Sequence, residues 1–113
     1  MMLQRVHIQI LDNPLEELVF QGEGLEHSLA NREIAEELRQ EMEYFYPSVV
    51  FVEYIDLFTD DEEEFDEIRG LLKMGLINTP VVLINGVIKI QGGIPSSIIR
   101  KEIENLLSSG PVH

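Results

Sequence analysis

The segment 78–93 constrains the fold of this chain more than any other part of the sequence. Two short apolar runs, 81–84 and 87–91, are joined by Asn85-Gly86. Asn-Gly between apolar runs is a strong hairpin signal, because a type I′ turn needs positive φ at both central residues. The first run is apolar at every position and predicts a buried central strand, whereas Lys89 interrupts the second run, as is typical of an edge strand.

Strands and helices alternate along the rest of the chain. Alternating apolar residues predict a strand at about 5–11, and a β-branched and aromatic run predicts another at about 49–56. Apolar stripes with helical spacing predict helices at about 29–45, 59–74 and 96–108. The order is therefore β-α-β-α-β-β-α. We expect a single α/β domain over 1–113, with one mixed four-stranded sheet and helices on both of its faces.

Two of these helices carry signals that predict the role of single residues. The stripe of the long helix that should face the core comprises Ile34, Leu38, Met42 and Phe45. In the second helix, Thr59 and Glu62 have the spacing of a capping box, so Thr59 should cap the helix while Glu62 reaches back to it. Gly75 should end the same helix, because glycine readily adopts the left-handed conformation that follows a helix.

The composition limits the partners that this chain can bind. It has 21 acidic and 8 basic residues, which gives a net charge of −13. Nucleic-acid phosphates and anionic lipid headgroups would be repelled, so we expect neither a nucleic-acid nor a membrane partner. A basic protein partner is compatible with this charge, although solubility alone also explains it. The chain starts without a signal-peptide layout and has no bilayer-spanning apolar run, so we expect it to be cytoplasmic.

The chain lacks the residues that several kinds of chemistry require. The chain has no cysteine, which excludes disulfides, thiolate metal sites and thiol nucleophiles. Its three histidines, His7, His27 and His113, match no zinc spacing. The run 60–67 holds seven acidic residues in eight, but it lacks the glycine and the alternating ligands of a calcium loop. We interpret it as the acidic first turn of a helix, with a docking patch for a basic protein as an alternative, and expect neither a metal nor a cofactor.

The element order, with Thr79-Pro80 before the third strand, the Asn-Gly hairpin and Gly92-Gly93 before the last helix, resembles the thioredoxin fold. Within that superfamily the chain is most similar to the small bacterial YuzD-like proteins, at Tyr46-Pro47, at 54–58 and in the acidic run that follows. The resemblance covers nearly the whole chain. It implies that Pro80 is cis and lies beside the loop in which redox members carry their cysteines.

The sequence departs from the redox members of this superfamily in that loop. Residues 12–27 connect the first strand to the long helix and contain no cysteine. Because thiol-disulfide exchange needs a thiolate, that activity is excluded, and no catalytic residue carries over. Asn13-Pro14 predicts a short helix that runs to about Phe20 inside this connection.

The resemblance also implies a peptide-binding position that needs no cysteine. In the superfamily, the residue before the cis-proline offers its backbone N–H and C=O to an extended peptide or to glutathione. Thr79 occupies that position here. We therefore expect a non-redox module that binds a protein or peptide at Asn78, Thr79, Pro80 and Gly93. The negative charge of the chain would favour a basic partner.

The sequence leaves two other functions open. The chain could be a cysteine-independent enzyme that binds glutathione or hydrolyses a substrate, with Tyr44, Tyr46, Ser28 or His27 in place of the thiol. It could instead be a structural protein that forms a homodimer through the long loop or an edge strand. Transferases of the first kind add a helical second domain, for which 113 residues leave no room.

Overall fold

The computed structural model describes residues 5–13, 24–57, 59 and 62–108, and within 24–30 it describes the backbone alone. The elements follow in the order β1 (Val6–Asp12), α1 (Gly24–Phe45), β2 (Val50–Asp56), a 3₁₀ turn (Glu63–Phe65), α2 (Asp66–Lys73), β3 (Val81–Ile84), β4 (Val87–Gln91) and α3 (Ser96–Ser108). The short helix predicted to run to Phe20 lies outside these residues, as does His113. No helix in the described part of the chain is long and apolar enough to cross a membrane.

The strands form one mixed sheet in the order β2-β1-β3-β4, which confirms an α/β architecture with a mixed four-stranded sheet. β1 pairs in parallel with β2 and antiparallel with β3, and β3 pairs antiparallel with β4. All four residues of the central strand β3 are buried, as its apolar sequence predicts. Asn85 and Gly86 have φ values of 52° and 83°, so the hairpin turn has the predicted positive angles.

The edge strand β4 contains a β-bulge. Val82 pairs with Ile90 and Leu83 pairs with Ile88, which leaves Lys89 as an extra residue on β4. Lys89 is exposed, as predicted for an edge strand. A bulge discourages further strand pairing because it twists the edge of the sheet. Lys89 discourages it as well, because an added strand would have to bury the lysine charge.

Helices cover both faces of the sheet, and each face has its own buried cluster. The first cluster joins β1, β2 and β3 to α1 and α3 through buried residues that include Ile8, Leu38 and Ile99. The second cluster lies on the opposite face, where Leu11 and Leu83 of the sheet pack with Phe65 and Ile68 of the 3₁₀ turn and α2. α1 and α3 therefore share one face, and α2 covers the other.

The long helix α1 differs from its prediction in length and in the face that it buries. It begins at Gly24 rather than near residue 29. Leu38 and Met42 are buried as predicted, but Ile34 is 38% exposed and Phe45 is 49% exposed. Ala35, which is 2% exposed, occupies the core-facing position beside Ile34. The predicted stripe does not include Ala35, because it is built from large apolar residues. Alanine suits this position because its small side chain lets the helix and the sheet approach closely.

The predicted capping box at the start of the second helix is wrong. Thr59 instead closes a turn after β2, where its N–H donates to the C=O of Asp56 at 3.2 Å. The 3₁₀ turn begins at Glu63, and Glu62 makes no side-chain capping hydrogen bond. Because the chain first forms a 3₁₀ turn, regular α-helix starts only at Asp66, too far from Thr59 for the capping geometry.

The end of the same helix confirms the prediction for Gly75. Gly75 has φ of 73°, and its N–H donates to the C=O of Leu72 at 3.1 Å. The N–H of Leu76 donates to the C=O of Leu71 at 3.0 Å. These two bonds form a Schellman motif, which satisfies carbonyl groups that the end of a helix would otherwise leave open.

Candidate functional site

The candidate site lies at the edge of the sheet where β1 and β2 end and β3 begins. Asp12 ends β1 and pairs in register with Asp56, which ends β2. Leu11 pairs with Val81 across the antiparallel ladder, so the same register continued by one residue places Pro80 opposite Asp12. Ligands of open α/β sheets bind beyond the carboxyl ends of the parallel strands. We call this region the Asp12 edge, comprising Asp12, Asp56 and 78–80.

The structure places Thr79 and Pro80 at this edge with the predicted backbone isomer. The Thr79-Pro80 peptide bond is cis, which confirms that expectation. Pro80 is buried, and Thr79 is half-buried. Thr79 therefore contributes to the surface at the Asp12 edge, whereas Pro80 lies in the interior.

The backbone groups on either side of Thr79 are tied to the end of β4. The N–H of Asn78 donates to Oε1 of Gln91 at 3.0 Å. The N–H of Gly92 donates to the C=O of Asn78 at 3.1 Å and to the C=O of Pro80 at 2.8 Å. Within the described residues, the N–H and C=O of Thr79 itself make no hydrogen bond. Thr79 thus presents one donor and one acceptor from a segment that its neighbours hold in place.

Gly93, the fourth predicted binding residue, contributes less than the glycine before it. Gly93 is half-buried, and a Cβ added there would meet no atom within 4 Å. Gly92 has φ of 82° and supplies the N–H that holds Asn78 and Pro80. Sequence reasoning named Gly93 by its place before the last helix and missed Gln91 and Gly92, whose roles depend on how β4 ends.

Asp12 is the centre of a buried polar cluster. The residue is 0% exposed. Its Oδ2 accepts a hydrogen bond of 2.7 Å from the hydroxyl of Tyr54 and a longer one of 3.4 Å from Nδ2 of Asn31 in α1. Its Oδ1 accepts one of 2.9 Å from the N–H of Asn13. Each carboxylate oxygen is therefore satisfied, as a buried charge requires.

Tyr54 is a hydrogen-bond donor in this cluster, and its environment disfavours loss of the phenolic proton. Burial raises the pKa of Tyr54, and the hydrogen bond and negative charge of Asp12 raise it further. Arg32 lies 5.3 Å from the centre of the tyrosine ring and acts in the opposite direction, without reversing the shift. Among the described residues, the cluster joins the ends of β1 and β2 to helix α1.

The two tyrosines offered as thiol substitutes do not lie at the Asp12 edge. Tyr44 is 80% exposed, and its ring packs edge-on against Phe45 at 5.0 Å. The hydroxyl of Tyr46 donates to Glu104 at 3.5 Å. Tyr44 lies in the last turn of α1 and Tyr46 follows its end, where the C=O of Tyr46 accepts from the N–H of Val50 at the start of β2. They are thus at the opposite end of the sheet from Thr79.

The histidines and the acidic run also take positions of their own. His27 lies inside α1 rather than before it, so that expectation is wrong, and Ser28 lies in the same helix. His7 is exposed, and its Nε2 lies 3.3 Å from Oε1 of Glu53. As interpreted from the sequence, acidic residues occupy the first turns of the 3₁₀ turn and of α2. Among the described residues, no group of three or more potential ligands could hold a metal ion.

Comparison with known proteins shows a similar fold and gives no information on function. No protein-family model matches the chain, and no curated protein matches it. Among solved structures, it is similar to the crystal structure of SA0789, a protein of unknown function from Staphylococcus aureus. The TM-score is 0.67 at 16% sequence identity, and the match covers 94% of each chain. At that identity the likeness shows a shared fold alone.

Proposed function

We propose that this chain is a non-redox, thioredoxin-like binding module, similar to the YuzD-like proteins, that holds an extended segment of a partner protein at Thr79. One observation carries the proposal. The N–H and C=O of Thr79 make no hydrogen bond within the described residues, while hydrogen bonds to Gln91 and Gly92 hold its neighbours Asn78 and Pro80. An extended peptide can bond to both groups of Thr79, which is the pattern of β-strand addition.

The backbone pair alone gives only modest affinity. Each hydrogen bond contributes about 0.5–1.5 kcal/mol net, so two bonds leave binding weak unless side chains add to it. Met74 and Leu76, which are 69% and 62% exposed, lie in the connection that leads from α2 to Thr79. Apolar side chains of the bound segment can cover them, and burial of apolar surface supplies the larger part of the free energy.

The charge of the chain favours a basic partner. A net charge of −13 attracts cationic proteins at a distance and raises their association rate at low salt. The partner segment that best fits these features is an extended, basic stretch with apolar side chains at alternate positions. Thiol chemistry has no part in this function, because the chain has no cysteine.

Selection of peptides followed by NMR tests the proposal. The immobilised protein is used at low salt to select from a random dodecapeptide library, and the enriched peptides are titrated into isotope-labelled protein. We expect amide shifts at 78–80 and 91–93. Thr79→Arg should weaken binding by about tenfold or more by occupying the space of the peptide backbone. Thr79→Ser keeps the backbone geometry and serves as the matched control.

Two results would contradict the proposal. One is a library that yields no enriched peptide, and the other is a set of peptides that bind Thr79→Arg as tightly as the parent protein. A parallel titration with glutathione separates the enzymatic alternative. Shifts at Thr79 with glutathione and none with peptides would replace the proposed function with small-molecule binding.

A further inference from the structure

A second concave surface lies on the α2 face of the sheet, at the other end of β3 from Thr79. It is a groove of about 440 Å³ between α2 and the β3–β4 hairpin, and the turn residue Gly86 lines its far end. Its apolar lining comprises Phe65, Ile68, Leu71, Leu83, Val87 and Ile88. Since Thr79 precedes β3 and Gly86 follows its end, the groove is separate from the Asp12 edge.

α2 is shorter than the central strand β1. The eight residues of α2 span about 12 Å, whereas the seven residues of β1 span about 23 Å. α2 packs on Leu11 and Ile55 at one end of this face. At the other end Phe51, which pairs with His7, stays 46% exposed. The sheet therefore presents an apolar surface that no helix of the described chain covers completely.

The rim of the groove is acidic. Glu64 and Glu67 line it from the helical side, and both are exposed. Their spacing of three residues places them on one side of the helix. In the part of the chain that the structure describes, neither carboxylate forms an ion pair. On the floor, Gln9 is only 8% exposed, and its amide donates to Glu53 at 3.4 Å.

We propose that this groove docks a basic amphipathic segment of a partner protein. An apolar side chain of that segment enters between α2 and the hairpin, and flanking lysine or arginine side chains pair with Glu64 and Glu67. Charge decides against a second copy of this chain as the occupant. Each copy carries a net charge of −13, so docking copy on copy would bring like charges together.

Three synthetic heptapeptides separate the apolar requirement from the charge requirement. One alternates lysine and leucine, one alternates lysine and serine, and one alternates glutamate and leucine. We expect only the lysine-leucine peptide to shift the amides of 64–71 and 83–88, and its affinity to fall when salt rises from about 50 to about 300 mM. Equal binding of the lysine-serine peptide would overturn the proposal, because it would show attraction to net charge alone.

Paired charge-neutral variants locate the site. Glu64→Gln with Glu67→Gln should weaken the lysine-leucine peptide by about tenfold. Glu33→Gln with Glu37→Gln removes the same charge from exposed positions of α1 and should change affinity less than about twofold. Equal weakening by both pairs would overturn the assignment. So would a dimer in sedimentation that the Glu64 and Glu67 changes strengthen, since a second copy would then be the occupant.

Discussion

The hydroxyl of Tyr54 in β2 donates a hydrogen bond of 2.7 Å to the fully buried carboxylate of Asp12 in β1. The two residues lie on adjacent parallel strands, and Asp12 pairs in register with Asp56, two residues beyond Tyr54. A buried carboxylate is stable only when donors satisfy it, so this bond is a condition for burying Asp12 at the edge that carries Thr79. The contribution of this bond to the stability of the fold can be measured by removing the Tyr54 hydroxyl.

Removal of the donor should destabilise the fold. Tyr54→Phe leaves the carboxylate of Asp12 with fewer donors, and we expect the free energy of unfolding to fall by about 1–3 kcal/mol. Urea denaturation monitored by circular dichroism measures it. Tyr44→Phe is the matched control, since Tyr44 is 80% exposed, and its effect should stay within about 0.5 kcal/mol. Equal effects of the two changes would show that the hydrogen bond to Asp12 contributes nothing.

The raised pKa of Tyr54 predicts how stability depends on pH. The folded state binds the phenolic proton more tightly than the unfolded chain, whose tyrosine pKa is about 10. This contribution is present below pH of about 10 and is lost as pH rises toward the folded pKa, because unfolding then releases the proton. The free energy of unfolding of the parent protein should therefore fall more steeply than that of Tyr54→Phe above pH of about 10.

Absorbance at high pH tests the same shift without denaturant. The difference in tyrosinate absorbance between the parent protein and Tyr54→Phe isolates the ionisation of Tyr54. We expect that difference to develop at higher pH than the ionisation of free tyrosine, which has a pKa of about 10. A difference curve centred at the free value would contradict the buried hydrogen bond.

Two glycines of the second helix should respond to alanine in opposite directions. Gly70 lies inside α2, and an added Cβ would meet no atom within 4 Å, so Gly70→Ala should raise the free energy of unfolding by about 0.5–1 kcal/mol. Gly75 has φ of 73°, so Gly75→Ala should lower it by about 1 kcal/mol. Thermal unfolding of both variants measures the signs, and a stabilising Gly75→Ala would contradict the Schellman motif.

Alanine substitutions on α1 should distinguish the observed buried face from the face that the sequence predicts. Leu38 is 2% exposed, and Leu38→Ala should cost about 2–5 kcal/mol. Ile34 is 38% exposed, and Ile34→Ala should cost about 1 kcal/mol or less. Chemical denaturation gives both values. Similar costs at the two positions would mean that the helix is rotated relative to the structure described here.

Much of the fold follows from local signals. The predicted strands at 5–11 and 49–56 lie within one residue of the observed β1 and β2, and the last helix has its predicted bounds. Periodicity succeeds there because burial on one face repeats at the spacing of the element itself. The turn at Asn85-Gly86 and the stop at Gly75 depend only on residues that tolerate positive φ. Signals of this kind need no knowledge of distant parts of the chain.

Other features do not follow from sequence spacing alone. The capping box at Thr59 has the right spacing, but the turn that follows β2 uses Thr59 first. The long helix buries Ala35 because the sheet approaches closely there. The start of α1 at Gly24 moves His27 into the helix, which no local pattern indicates. At Ala35, tertiary packing overrides a local preference of small magnitude.

The sequence by itself determined the hairpin, the class of fold and the absence of thiol chemistry, because these depend on backbone preferences and on which side chains are present at all. Only the tertiary structure decided what lies at the two surfaces described here. Strand register brings Tyr54 to Asp12 and leaves the backbone of Thr79 open beside them. The placement of α2 against the β3–β4 hairpin leaves the groove beside Glu64 and Glu67. Register and the placement of one element against another are relations between elements, so no single stretch of sequence contains them.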